Sequence, residues 1–413
     1  MRSISTFILS VLLLGGSLYA QDERKLLFIG IDGVRSDALQ QANTPVMDSL
    51  MANGISTFDS WHLGVTSSGP SWSNMCTGVW EAKHGVTNNS YTGSNFIDYP
   101  FFSNRMKEIN PDLKCVQIIT WNPMDDADKG TGGNVINADW DLAIDAGDLG
   151  QGLVTAAAGI QLLDPEIDVL FIHFDEPDAA GHGFGFSPSV PQYMNAIEGV
   201  DVEIGQVMQA LRNRSNFANE DWLIVSTTDH GGSGTSHGGN SDDERHIWWY
   251  ASSKSVPTMV LTGADPGSYQ MPSNPVDPTV LKDSPVQVDI AVTAIDWMLP
   301  GYDPEANQAW DLDGKSWIPD SLDVVGLKSI ELRKEQISIY PNPTNDQLNV
   351  SNHSQSSIHT VQLFDLTGKL IHTAGNIPAS ATRALNLSEL EAGVYVLSLL
   401  GETGGVQKRV IVK

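Results

Sequence analysis

Seven side chains in this sequence have the types, and in part the spacing, of ligands for a divalent metal: Asp32, Ser68, Asp178, His182, Asp229, His230 and His237. Asp32 lies in IDGVRSD, and Ser68 opens SGPSWSNMCTG. Asp178 and His182 stand four apart in EPDAAGHGFG, so one helical turn can aim both at a single point. Asp229 and His230 are adjacent in TTDHGG, and His237 follows in SHGG. Adjacent side chains on a strand point apart unless the chain turns, and the glycines after His230 permit a turn and close backbone approach. Carboxylates mixed with imidazoles fit zinc or a related divalent ion, whereas a pure calcium site would not use histidine. Six such ligands and a hydroxyl exceed one tetrahedral site and divide between two ions. Taken singly each piece is weak, because an Asp after a strand is usually a turn residue and a single His is usually surface or satisfied core. Their order, each at the end of an element, carries the expectation.

The elements that must position them alternate. Lys25–Asp32 (KLLFIGID) has the length and apolar continuity of a buried strand, and Ser36–Met51 after it has helical spacing. Further strands are expected at Cys115–Thr120, Val169–Phe174, Trp222–Ser226 and Thr258–Thr262. Helices are expected near Ser71–Val79, Val154–Leu163, Pro191–Arg212 and Val286–Met298. Strands alternating with helices imply a mostly parallel sheet covered on both faces, with its ligand site beyond the carboxyl ends of the strands. Ser68 then opens a helix with Pro70 in its first turn, where the dipole favours an anion.

The chain has 413 residues, enough for two or three units, and its 41% hydrophobic content excludes global disorder. A net charge of −27 argues against nucleic-acid or anionic-membrane partners. Residues 1–20 read as a signal peptide: Arg2, the apolar run Phe7 to Leu14, then Ser17-Leu18-Tyr19-Ala20 before Gln21. No later segment is apolar enough to span a bilayer, so an exported, soluble product is expected. Cys76 and Cys115 are too few for a disulfide scaffold and read as two buried thiols, with a pair between them the alternative. Residues 21–318 form the expected catalytic unit and 319–336 a polar linker. From 337 to 413 short alternating runs (ISIYPNPTNDQLNV, VQLFDLTGKLI, GVYVLSL, VQKRVIVK) read as a small all-β sandwich. Those runs resemble type IX secretion sorting domains, which implies a removable export signal and a secreted or cell-surface location. A carbohydrate-binding β-module is the plainer alternative, but no strip of exposed aromatics supports it.

The order of the metal-type motifs resembles the alkaline phosphatase superfamily, most closely its type I phosphodiesterase and nucleotide pyrophosphatase branch, over about Lys25 to Leu299. The resemblance implies a three-layer α/β sandwich with a mostly parallel central sheet. It implies two divalent ions, zinc by preference, with Ser68 as nucleophile. Asp32, Ser68, Asp229 and His230 would surround one ion, and Asp178, His182 and His237 the other, with His246 the substitute for His237. The phosphate-binding amide falls at Asn89, with Asn88 beside it.

The chemistry so implied is in-line displacement at phosphorus through a phospho-Ser68 intermediate. The nucleophile is Ser where the branch usually has Thr. Ser68-Gly69-Pro70-Ser71-Trp72 lacks the Arg of the sulfatase motif, which disfavours sulfate esters. Gly69 stands where the pyrophosphatases carry an aromatic that stacks a base, which puts nucleotides in doubt. The Cys115–Gly150 stretch holds only Lys129 as a cation for a monoester's extra charge, so a diester is favoured. A phosphomonoesterase and a phosphoethanolamine-type transferase or hydrolase are the alternative enzymes. A binding protein on a decayed version of the fold would have lost a ligand, and none is missing. Trp72 and Phe184 are candidates for the leaving-group pocket. His84 reads as a structural histidine, and Asp242-Asp243-Glu244 as a solvated loop.

Overall fold

The computed structural model describes residues 22–124, 140–267, 284–319 and 337–413, except 354–356, 365–368, 389, 391 and 402–403. The signal segment, residues 320–336 of the linker and Lys129 lie outside the described residues. The chain divides into two compact units, Met1–Pro319 and Asp320–Lys413.

In the first unit an eight-stranded sheet has the order β4-β3-β5-β1-β6-β7-β2-β8. Its strands are β1 (Glu23–Ile31), β2 (Gly54–Trp61), β3 (Cys115–Ile119), β4 (Leu142–Asp145), β5 (Val169–Phe174), β6 (Glu220–Thr228), β7 (His246–Ser252) and β8 (Met259–Val260). Strand β7 runs antiparallel to both β6 and β2, and the remaining pairings are parallel. The helices are α1 (Ser36–Leu39), α2 (Pro45–Ala52), α3 (Ser68–Thr77), α4 (Glu81–His84), α5 (Phe102–Ile109), α6 (Gln151–Gln161), α7 (Glu176–Phe184), α8 (Pro191–Arg212), α9 (Asp242–Arg245) and α10 (Asp289–Met298).

Both faces of β1 are buried, and this explains its continuous apolar run. Leu27, Ile29 and Ile31 pack with Leu50 of α2, Val154 of α6 and Ile204 of α8. On the other face Phe28 stacks on Phe102 of α5 at 5.3 Å. There too Trp297 of α10 donates its indole N–H to the Lys25 carbonyl at 2.9 Å. The result is the three-layer α/β sandwich expected from the sequence, with helices on each side of a mostly parallel sheet. Cys76 and Cys115 are both buried free thiols.

Local differences have local causes. The helix expected over Ser36–Met51 breaks into α1 and α2 because Pro45 disfavours a helical residue before it, and Thr44 leaves the helical region at φ −122°, ψ 63°. Strands β2 and β7 carry no clean alternation and escape a periodicity reading. The strand expected at Thr258–Thr262 shortens to Met259–Val260. Asp242–Glu244 is not a solvated loop: it opens α9, with Ser241 and Glu244 forming a capping box and Glu244 buried.

The second unit holds two antiparallel sheets, of three and four strands. They enclose one apolar core that includes Leu348, Val350, Val361, Leu397, Leu399 and Val410.

Candidate metal centre

The segments carrying Asp32, Asp178 and Asp229 leave the sheet at the carboxyl ends of β1, β5 and β6, the usual ligand edge of an open α/β sheet. The structure gathers six of the seven side chains into two groups: Asp32, Asp229 and His230, and Asp178, His182 and His237. Within each group one ligand atom per residue lies within 4.8 Å of the others. The groups adjoin, because the rings of His230 and His237 stack at 3.8 Å.

Each histidine is oriented the same way. The Nδ1–H groups of His230, His182 and His237 donate to the carbonyls of Gly231 at 2.8 Å, Thr235 at 3.0 Å and Thr66 at 2.8 Å. That tautomer turns every Nε2 lone pair inward. The Nε2 atoms of His182 and His237 then face each other at 3.1 Å, which is repulsive for two neutral rings and calls for a cation. His230 Nε2 lies 3.2 Å from Asp229 Oδ2 and 3.6 Å from Asp32 Oδ1.

The carboxylates are each anchored by one oxygen at most. Asp32 Oδ2 accepts the Trp72 indole N–H at 3.1 Å. Asp229 Oδ1 accepts from the Gly33 and His230 backbones at 3.0 and 2.9 Å. Asp32 Oδ1, Asp229 Oδ2 and Asp178 Oδ1 are buried without a hydrogen-bond partner. Leaving a buried polar atom unsatisfied costs about 1–3 kcal/mol, more for a charged group. Three such oxygens beside three inward lone pairs fit two divalent ions held by carboxylate and imidazole.

Electrostatics agree. Burial, then the charges of Asp32 and Asp175, push Asp178 up to about 9. Burial and the Asp32 charge likewise raise Asp229 well above the carboxylate range. Burial opposes ionisation of Asp32 too, yet contacts with His173, His230 and Trp72 outweigh it and hold Asp32 low. Burial and the neighbouring His237 push His230 down to about 4, so its ring is neutral at pH 7. Three crowded carboxylates that resist joint ionisation are suited to a cation.

Close packing brings the two groups together. Gly33 has φ +71°, and a Cβ there would lie 2.7 Å from Asp178 Cβ; only glycine lets α7 approach β1 so nearly. Gly232 is needed for proximity rather than for a turn, since its Cβ would lie 2.3 Å from the Phe186 ring. Phe186 also meets His182 edge-on at 5.3 Å, joining the GH helix to the DHGG segment. Arg35 ties that segment down by donating to the carbonyls of Phe186 and Gly232 and to Asp37 and Asp243.

Ser68 is the first residue of α3 and is buried, with Oγ 3.5 Å from His230 Nε2. Asn89 is exposed, and its Oδ1 accepts the Gly69 N–H at 2.8 Å. The amide's N–H₂ is the end left to meet an anion. A buried relay steadies this loop: Gln287 donates to the Asp229 carbonyl, Asn74 to Gln287, and His84 joins Asn74 to the Val86 N–H.

His246 is elsewhere, stacked on Trp61 at 4.6 Å and 3.5 Å from Asp59. Trp72 lines no pocket: it is wholly buried, and its N–H orients Asp32. Phe184 is exposed. Sequence reasoning missed Trp72 as an anchor and His173 altogether. A polar residue inside the apolar run VLFIHF was the available signal for the latter, and a tryptophan one helical turn after Ser68 for the former.

Comparisons with known proteins agree with this architecture. Residues 26–247 match the model of the type I phosphodiesterase / nucleotide pyrophosphatase family. Residues 338–413 match the secretion system C-terminal sorting domain, which directs the chain to type IX export, to the cell surface or beyond. The chain is 23% identical over 248 residues to the bis(5'-adenosyl)-triphosphatase of Bos taurus, covering 56% of this chain and 53% of that protein. It is 23% identical over 254 residues to ectonucleotide pyrophosphatase/phosphodiesterase family member 7 of Rattus norvegicus, covering 55% and 54%. The chain thus spans about half the length of the curated relatives it matches. Among solved structures, yidJ of Bacteroides fragilis, assigned as a sulfatase, superposes with TM-score 0.52 at 14% identity over 87% of this chain and 90% of that one. A phosphonate monoester hydrolase of Silicibacter pomeroyi does so with TM-score 0.50 at 14% identity over 93% and 88%. At such identities these two speak to the fold alone. With the match of residues 26–247 covering more than half of its length, the chain belongs to the type I phosphodiesterase / nucleotide pyrophosphatase family.

Proposed function

We propose that the chain is an exported, two-metal phosphodiesterase that works through a phospho-Ser68 intermediate. The observation that carries this is the convergence of three inward Nε2 lone pairs and three unpartnered carboxylate oxygens beside Ser68. Asp32, Asp229 and His230, with Ser68, would hold one ion; Asp178, His182 and His237 would hold the other. When bound, such a pair lowers the pKa of a hydroxyl or water and neutralises charge at phosphorus.

The chain's own groups do the rest. Ser68 Oγ gives up its proton and forms a bond to phosphorus as the bond to the leaving oxygen breaks and that oxygen takes up a proton. The phosphoryl group on Ser68 keeps its second ester group, so water later attacks it to release a phosphate monoester and free Ser68. Asn89 donates from its amide to a phosphoryl oxygen, and the N-terminal end of α3 favours the same negative charge. Arg35 stands near Asp32 in sequence, but its guanidinium is engaged by Asp37, Asp243 and two carbonyls. That cation is not offered to the extra charge of a monoester, which supports a diester.

Initial rates on bis-p-nitrophenyl phosphate, p-nitrophenyl phosphate and p-nitrophenyl sulfate test the proposal. The diester should be turned over fastest and the sulfate not above background. A preference for the monoester or the sulfate overturns it.

A further inference from the structure

Asp32 is a buried carboxylate of the centre, and the groups behind it determine which way it faces. Oδ2 accepts the Trp72 Nε1–H at 3.1 Å, and His173 Nε2 lies 3.5 Å away, a contact short of a formed hydrogen bond that leaves Nε2 buried with no hydrogen-bond partner. His173 sits on β5 directly across from Gly30 of β1, two residues before Asp32, and is wholly buried. Its ring meets Trp72 edge-on at 4.7 Å, so the two rings brace each other. A Cβ on Gly30 would lie 2.5 Å from the Trp72 ring and 3.3 Å from His173 Cδ2. The glycine therefore makes room for both.

Behind the ring, Thr120 Oγ1 lies 3.1 Å from His173 Nδ1 and 3.2 Å from the His173 carbonyl. The hydroxyl has one hydrogen. If it donates to Nδ1, the neutral ring carries its own hydrogen on Nε2, facing Asp32. If it donates instead to the carbonyl or to the Asp175 carboxylate, which it also meets, it accepts from Nδ1–H, and Nε2 is bare and points a lone pair at Asp32. Only the first arrangement is attractive for a neutral ring.

We infer that His173 is a positioning residue for the ion held by Asp32, Asp229 and His230: Thr120 selects its Nε2–H tautomer, and that N–H, with Trp72, holds Asp32 so that Oδ1 faces the ion. The inference rests on the two-ion reading of the centre. The carboxylate oxygen left over, Oδ1, is the one with no partner in the protein. Groups in this position typically change metal affinity about 10- to 100-fold when removed.

The test is zinc binding by the full chain, stripped with chelator and titrated, with anomalous scattering at limiting zinc to assign each ion. The variants are His173→Leu, His173→Gln and Thr120→Val. His173→Leu should weaken the Asp32 site about 10- to 100-fold and leave the Asp178–His182–His237 site unchanged. His173→Gln, which keeps a donor near Nε2, should recover most of that loss. Thr120→Val should reproduce part of it, and decides the matter if His173→Leu does not fold. Unchanged affinity at the Asp32 site in both His173→Leu and Thr120→Val overturns the inference, as does equal weakening of both sites. If the parent itself binds fewer than two ions, the two-ion reading fails and takes the inference with it; a parent with two ions and indifferent variants sinks only the role of His173.

Discussion

Replacing Gly69 with alanine tests whether the loop over Ser68, the proposed nucleophile, is built to hold Asn89 in place. Gly69 follows Ser68 in the first turn of α3, and its N–H is what anchors the Asn89 side chain. A Cβ at Gly69 would stand 2.6 Å from the Asn88 carbonyl oxygen and 3.0 Å from Asn89 Cα. Restoring ordinary contact at 3.4 Å moves the loop from 2.6 to 3.4 Å, a retreat of about 0.8 Å. Thr87 to Ser90 are exposed and can make that retreat, so the fold survives. Asn89, however, leaves its place. A displacement of about 1 Å at a positioned group can cost about 10²-fold in rate, comparable to the 10²–10³-fold expected of a missing oxyanion donor. We therefore expect Gly69→Ala to lower kcat/KM on bis-p-nitrophenyl phosphate by about 10²-fold, with zinc content and melting temperature near the parent's. Asn89→Ala should lose a similar amount. The double variant should be no worse than Asn89→Ala alone, since both remove one interaction. Gly69→Ala within threefold of the parent, or fully multiplicative losses in the double variant, refutes the reasoning. The same contact means that an aromatic cannot be grafted after the nucleophile to stack a base: Gly69→Phe should abolish activity rather than open the site to nucleotides.

Ser68→Ala should abolish turnover by several powers of ten while zinc content and unfolding stay close to the parent's; activity within tenfold removes Ser68 as nucleophile. His237→Ala should empty the Asp178–His182 site, measured by metal analysis and anomalous scattering, whereas His246→Ala should leave both ions in place. Glu220→Ala strands the buried Arg214 guanidinium, now held at 2.8 and 2.9 Å by two carboxylate oxygens, and should destabilise the first unit by about 3–5 kcal/mol. Burial pushes Glu220 up, but Arg214 and the Trp222 N–H outweigh it and hold it below its ordinary 4.5. The pair's stabilisation is therefore full above that value and fades as acid protonates the folded state, so the parent and Glu220→Ala should converge in stability at low pH. Urea unfolding followed by tryptophan fluorescence reads this unit alone, since all 11 tryptophans precede residue 319; a loss under 1 kcal/mol would contradict the pair's role.

The sheet was legible because a strand buried on both faces, such as β1 or β5, writes an unbroken apolar run into the sequence. Strands β2 and β7 were not. Their polar residues, Ser56, Thr57 and Ser60 among them, are buried through contacts made with segments distant in the chain, and no local period records that. The metal-type side chains were legible for a different reason: carboxylates and imidazoles restricted in type recur in order, each at the end of an element. What brings the groups together was invisible. Phe186 filling the space above Gly181 and Gly232, and Arg35 bridging to Gly232 and Asp243, are contacts between residues whose pairing no spacing encodes.

His173 marks the boundary between the two kinds of information. A histidine in VLFIHF is locally anomalous, since a buried imidazole without a partner is destabilising and a strand gains nothing from it. The sequence alone therefore says that the residue has a partner, but not which. Only the pairing of β5 with β1 puts it across from Gly30 and within reach of Asp32. The same holds for Trp72, whose place one helical turn after Ser68 looks like ordinary core until β1 passes beneath it. Ligands of an ion are restricted in type, so composition and spacing can find them. The groups that orient those ligands are restricted only in where their N–H points, and that is a property of the assembled sheet.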